Sequence, residues 1–132
     1  MKKERVISPT VGEPPEGTWS NCLVVGQQVF IAGMTSRGAS FDDVFEEDAY
    51  AQARTIFQKI SDLMDEAGGS INDLVKIVVY LTDIDDRNAV WQARREFFTG
   101  HFPVSTLFEV SRLVRPEMKV EIDAFGMLGC AQ

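Results

Sequence analysis

LVKIVVYLTD, residues 74–83, is the stretch from which the rest of the chain is read. Val75, Ile77, Val79 and Leu81 alternate with Lys76, Val78, Tyr80 and Thr82. This is a period of two in β-branched and aromatic residues, the pattern of a strand. The second face is not simply polar, because Val78 and Tyr80 lie on it. A strand apolar on both faces belongs inside a sheet or at a subunit contact, where neither face meets water. Helical patterns flank it on both sides, so the spacing predicts a central strand joining two βα units.

Upstream, residues 47–67 carry the clearest helical signal. Ala49, Ala53, Ile56, Phe57, Ile60, Leu63, Met64 and Ala67 recur by threes and fours, one apolar stripe facing a core. Asp42, Asp43, Glu46, Glu47 and Asp48 crowd its start, where the positive end of the helix dipole favours carboxylates. A metal site is the competing use of such a cluster, but the dipole accounts for it without one. Gly68-Gly69 ends the helix by supplying φ > 0. Downstream, Asp85 or Asp86 caps a second helix over 87–98. Ala89, Val90, Ala93 and Phe97 form its inward stripe, Trp91 and Phe98 flank it, and Gly100 and Pro103 end it. Residues 104–113 and 118–126 read as the last two strands, joined through 114–117. Glu121 shares a strand face with Lys119 and Asp123, and Val120, Ile122 and Ala124 take the other.

Before the first helix, 19–25 and 28–33 read as strands joined by a tight hairpin at Gly26-Gln27. Residues 5–8 form a short first strand. Pro9, Gly12, Pro14, Pro15 and Gly17 mark an irregular connection, and 34–45 a polar loop. The order is three strands, helix, strand, helix, two strands, in one α/β domain spanning 1–132. Right-handed crossovers place both helices on one side of the sheet. Val29, Val78 and Tyr80 then leave the other face apolar, and further copies of the chain are its expected cover.

The composition bounds the function. At 132 residues, 45% hydrophobic and 25% charged, the chain is an ordinary globular domain that can build a core without metal or disulfides. Cys22 and Cys130 lie at opposite ends and read as reduced thiols; with no CxxC and no Cys/His cluster, zinc has no support. The basic start MKKERVISPT is followed by no apolar signal core, and no run approaches the roughly 20 apolar residues of a membrane span. A cytoplasmic protein without membrane contact is the expectation. A net charge of −7 opposes nucleic acid, whose non-specific affinity comes from Lys and Arg neutralising phosphates.

No phosphate-binding glycine loop, dinucleotide fingerprint, HExxH or Ser-His-Asp order is present. His101, the lone histidine, sits in a turn before Phe102-Pro103. Met34, Met64 and Met118 read as core fillers. Gly33 ends an apolar strand, where glycine serves either a turn or the close approach of backbone to a ligand. Glu121, in Val-Glu-Ile-Asp-Ala, is an outward solvated residue unless it faces a pocket, where it would position water or act as a base.

Taken together, WSNCLVVGQQVFIAG (19–33), LMDEAGGSINDLVKIVVYLTDIDD (63–86), Asn88, Phe-Pro-Val-Ser-Thr (102–106) and VEIDAFG (120–126) resemble the Rid family, over nearly the whole chain and in order. These are the reactive intermediate deaminases, RidA and its relatives, also labelled YjgF, translation inhibitor and L-PSP endoribonuclease. The resemblance implies a chorismate-mutase-like fold, a mixed six-stranded sheet with two helices packed on one face. It also implies a homotrimer closed as a barrel, with a small-molecule ligand in each inter-subunit cleft. The active deaminases hydrolyse imines or enamines such as 2-aminoacrylate to keto acids and ammonia, without metal or cofactor.

Gly33, Asn88, Pro103, Thr106 and Glu121 fall on motif positions of the family. Trp19 stands where the resemblance expects tyrosine, Ala32 where it expects serine, and Ser105 where it expects the arginine of a Pro-Ala-Arg motif. A guanidinium fork makes two parallel hydrogen bonds to a carboxylate. A hydrogen bond to a charged group is worth about 1.5–3 kcal/mol, so its loss costs roughly ten- to hundredfold. Arg37, Arg112 and Arg115 are the candidates to supply the charge from a loop or an adjacent subunit. The implied site is Glu121 and Ser105 as catalytic groups, with Trp19, Gly33, Asn88, Pro103 and Thr106 binding substrate. Three functions stay open: hydrolysis of an imine or enamine lacking the usual carboxylate anchor, small-molecule binding without catalysis, and the inherited ribonuclease or translation-inhibitor label.

Overall fold

A computed structural model describes residues 1–38 and 48–131. Its order is β1 (Lys3–Arg5), β2 (Cys22–Val25), β3 (Gln28–Met34), α1 (Ala49–Glu66), β4 (Leu74–Leu81), α2 (Arg87–Arg95), β5 (Val104–Glu109) and β6 (Val120–Met127). The strands form one six-stranded mixed sheet in the order β1-β2-β3-β6-β4-β5. β4 pairs parallel with β5 and antiparallel with β6. It is therefore interior, as its two apolar faces require, but the middle of the sheet lies between β3 and β6.

Helices α1 and α2 pack on each other and cover one face; Phe57 of α1 meets Phe97 and Phe98 at ring-centroid distances of 5.7 Å each. Ile77, Val79, Leu81, Val120, Ile122 and Ala124 point into that layer and are fully buried with Ile56, Phe57, Ile60, Leu63 and Met64 of α1. The other face carries Phe30, Val78, Tyr80, Phe108 and Phe125. On it Phe30 meets Phe125 edge-on at 6.2 Å and Tyr80 stacks on Phe108 at 6.1 Å. Val29 does not belong there: it is buried on the helix side, because in β3 the outward position falls to its neighbour Phe30.

Several boundaries move, each for a local reason. The strand alternation at 75–81 breaks at its first residue. A register shift between Leu74 and Lys76 turns Leu74 inward beside Ile77 and leaves Val75 45% exposed. β1 begins two residues earlier than expected, because Lys3–Arg5 pairs with Leu23–Val25. Ser8, hydrogen bonded to Thr10, then bends the chain away before Pro9 could interrupt the ladder. β2 starts only at Cys22, and β5 stops at Glu109, where Val110 donates to the carbonyl of Leu81 and the chain leaves the sheet. β6 starts at Val120.

The hairpin is as read: Val25 pairs with Gln28, and Gly26 takes φ 62° while Gln27 keeps φ negative, the arrangement of a type II′ turn. α1 starts at Ala49, capped by the Asp48 carboxylate, which accepts from Ala51 N at 2.7 Å. Asp42, Asp43, Glu46 and Glu47 lie outside the described residues. Neither Asp85 nor Asp86 caps α2. A 3-10 turn, Ile84–Asp86, precedes the helix; Asp83 caps that turn, so Asp86 enters α2 already helical and makes no side-chain cap. α2 ends at Arg95, and Phe97 and Phe98 leave the helical path to pack on Phe57.

Candidate active site

The sheet brings Glu121 and Gly33 together. β6 runs antiparallel to β3, and the β3–β6 register shifts between Ile31 and Met34, which sets Ala32 and Gly33 against the single residue Asp123, two positions from Glu121. Such bulges re-aim side chains beside functional sites. A methyl group added at Gly33 would lie 2.3 Å from Glu121 Oε2 and 3.1 Å from Asp123 Oδ1. The missing Cβ at Gly33 leaves the space this carboxylate occupies, and a side chain there would force Glu121 to move. The resulting cleft holds about 330 Å³, within the range of small-ligand sites. Trp19, Ala32, Gly33, Arg37, Lys59 and Glu121 are among its walls.

The electrostatics favour a proton on Glu121. Burial raises its proton affinity above the ordinary carboxylate range, the charge of Asp123 adds to this, and Arg37 opposes it. Asp123, one strand position further along the same face, accepts a hydrogen bond from Tyr80 Oη at 2.9 Å. That bond, together with burial, raises the Tyr80 hydroxyl above its usual value. Lys59 reaches the cleft from α1, its Nζ donating to the carbonyl of Thr35 at 2.8 Å in a buried position. Of the three loop arginines named from the sequence, Arg37 lines the cleft and Arg115 pairs with Glu117 at 3.5 Å.

The other residues named from the sequence lie elsewhere in the single chain. Asn88 is exposed in the first turn of α2. Pro103 is buried and lines a second hollow of about 260 Å³ with Asn72, His101 and Val104. Thr106 stands opposite Val78 on the uncovered face of the sheet, and Ser105 stands opposite Ile77, on the helix side. Tyr80 opposite Glu121 fixes the carboxylate on the uncovered face. Ser105 and Glu121 therefore point to opposite sides of one sheet. Within one chain, Trp19, Gly33 and Glu121 share a cleft, while Pro103 precedes β5, Ser105 and Thr106 lie on its two faces, and Asn88 stands apart on α2.

Sequence reasoning missed three participants. Tyr80 and Asp123 pair across β4 and β6, which requires knowing that those strands are neighbours. Arg94 donates from Nη2 to Ser105 Oγ at 3.1 Å. Its signal was its helical spacing after buried Val90, which turns it toward the sheet instead of the solvent.

Residues 10–127 match the family model described as Endoribonuclease L-PSP. A RutC family protein of Pyrococcus abyssi is 32% identical over 126 residues, covering 96% of this chain and 98% of that protein. A human protein named 2-iminobutanoate/2-iminopropanoate deaminase is 25% identical over 125 residues, covering 95% of this chain and 90% of that one. A crystal structure of a Pseudomonas aeruginosa protein of unknown function superposes with a TM-score of 0.87 at 38% identity, covering 98% of this chain and 95% of that one. With the mixed sheet, the two helices on one face and the cleft beside Glu121 all in place, the chain belongs to the Rid family, whose model carries the older endoribonuclease L-PSP description.

Proposed function

We propose that this protein hydrolyses small imines or enamines to the carbonyl compound and ammonia. The observation that carries the reading is the Glu121 carboxyl set against the Gly33 backbone in a small cleft, with its proton affinity raised by burial and by the charge of Asp123. A group so tuned serves general acid–base catalysis. Glu121 takes one proton from water as the oxygen adds to the C=N carbon and delivers it to the nitrogen, giving the carbinolamine. It then takes the hydroxyl proton and delivers that to the nitrogen as the C–N bond breaks, so C=NH and water become C=O and ammonia. An enamine first takes a proton at carbon to become the imine. The human relative's name supports this substrate class.

In this reading the cleft is completed by a second copy of the chain. The uncovered sheet face leaves Phe30 39%, Phe108 49% and Val104 67% exposed. A face of that composition is expected to be covered. A closed trimer of such sheets sets the α2–β5 edge of one subunit, with Asn88, Pro103, Ser105 and Thr106, over the Gly33–Glu121 cleft of the next. The ribonuclease label does not suit this chain: its net charge of −7 lacks the cation surplus that phosphate binding needs, and His101 lies outside the cleft.

The test generates 2-aminoacrylate in the assay and follows its disappearance. The wild type is expected to accelerate the loss, and Glu121→Gln, still folded by circular dichroism, to reduce that acceleration roughly 100-fold or more. A wild type that adds nothing to the buffer rate, yet binds 2-oxobutanoate by calorimetry, would replace hydrolysis with binding alone.

A further inference from the structure

Among the described residues Arg94 is a cation without a counter-charge. Among the described residues two enclosed side-chain polar atoms have no hydrogen-bond partner, and one of them is Arg94 Nε. Arg94 takes part in none of the ion pairs among those residues, which join Arg5 to Glu13, Arg54 to Glu96, Arg87 to Asp85 and Arg115 to Glu117. The acid nearest in sequence, Glu96, is engaged with Arg54 and Tyr50. Among the described residues its one hydrogen bond runs to a neutral hydroxyl, Ser105 Oγ.

Partial burial of a guanidinium costs solvation, and proteins ordinarily recover that cost with a carboxylate. Here burial pushes the Arg94 head below its usual proton affinity, and no acid among the described residues restores it. A planar fork held in this state suits a carboxylate supplied from outside, which brings both the missing charge and acceptors for the unsatisfied N–H. Ser105 contributes twice: its oxygen accepts from Nη2 and orients the guanidinium, and its own hydroxyl proton remains to be donated. Arg37 is the less suitable anchor, because its charge already faces Glu121.

We propose that Arg94, oriented by Ser105, anchors the carboxylate of the substrate, a cationic fork delivered from helix α2 through the hydroxyl that stands on β5. The inference rests on the hydrolase reading for the identity of the ligand, a small 2-imino or 2-oxo acid. It differs from that reading in the residue at stake. It also closes the question raised by Ser105, since the charge absent from the strand is supplied one layer above it.

The experiment measures binding of 2-oxobutanoate and of its methyl ester by calorimetry, without turnover. Wild type is expected to prefer the acid over the ester by roughly ten- to hundredfold. Arg94→Met should abolish that preference. Because it removes a poorly solvated charge, it should leave Tm unchanged or raised. Arg94→Lys keeps the charge, is expected to fold in any case, and should lose most of the preference with the bidentate fork. An acid preference that survives in both variants overturns the assignment. So does dissociation of the wild-type oligomer in Arg94→Met, which would make the fork an intersubunit ion-pair residue, or displacement of 2-oxobutanoate by inorganic phosphate at equal concentration. Failure of hydrolysis is distinguishable: an enzyme inactive on 2-aminoacrylate that still shows the Arg94-dependent preference loses its proposed reaction and keeps its anchor.

Discussion

Glu121 shows how one residue can cost stability while serving chemistry. Folding raises its proton affinity, so the folded state holds a proton that the unfolded chain, with a carboxyl near 4.5, releases. The stability from this group is complete below the unfolded value and is lost as pH rises through the folded one. Glu121→Gln should therefore raise Tm at about pH 7, and the gain over wild type should close at about pH 4. Thermal melts at the two pH values check this; a Tm gain of equal size at both would mean that the carboxylate is not desolvated by the fold. The same residue illustrates what a sequence can say. Val-Glu-Ile-Asp-Ala placed Glu121 on one strand face with Asp123, correctly, but whether that face met water or a cleft depended on Gly33, 88 positions earlier in the chain.

At the scale of elements, the apolar stripe of α1 was legible because spacing by threes and fours has one geometric solution. Two polar members of its buried face were not. Gln52 is fully buried, donating from Nε2 to the carbonyl of Glu117 and accepting from Lys119 N through Oε1, both at 2.8 Å. It ties α1 to the entrance of β6, the strand that carries Glu121. Gln52→Ala leaves two backbone groups unpaired and is expected to cost about 1–3 kcal/mol for each, read by urea denaturation. Gln52→Glu keeps the acceptor but not the donor and should fall between. A loss within 0.5 kcal/mol, the scatter of an ordinary surface change, would show that water replaces the side chain freely. The strand ends were less legible than the helices. Pairing, and not propensity, stops β5 at Glu109, and a shifted register turns Val75 out of the alternation.

At the scale of the molecule, the helices cover one face of the sheet and the aromatic face opposite has no cover among the described residues. Phe108, 49% exposed and stacked on Tyr80, lies near the middle of the expected contact between copies. Phe108→Asp puts a charge where the assembly would exclude water, and it should sediment as a folded monomer with deaminase activity lost. A trimer that persists in this variant, or a wild type that sediments as a monomer, would remove the second half of the proposed cleft. Because Glu121 and the Arg94–Ser105 pair face opposite sides of one sheet, activity should reappear in mixtures of Glu121→Gln and Arg94→Met chains only if subunits exchange, since intact clefts then form between unlike neighbours.

The sequence by itself determined the element order, the buried stripe of α1, the Gly26-Gln27 hairpin and the two-faced strand at 74–81, because each is a local pattern with one stereochemical reading. It also carried the family, through segments spread in order along the chain. Only the tertiary structure decided which strands are neighbours, and with that the contact of Gly33 with Glu121, the Tyr80–Asp123 hydrogen bond and the seat of Arg94 over Ser105. Those contacts join residues separated by 11 to 88 positions, and no periodicity encodes them: they follow from sheet order and register, which depend on how the whole core packs.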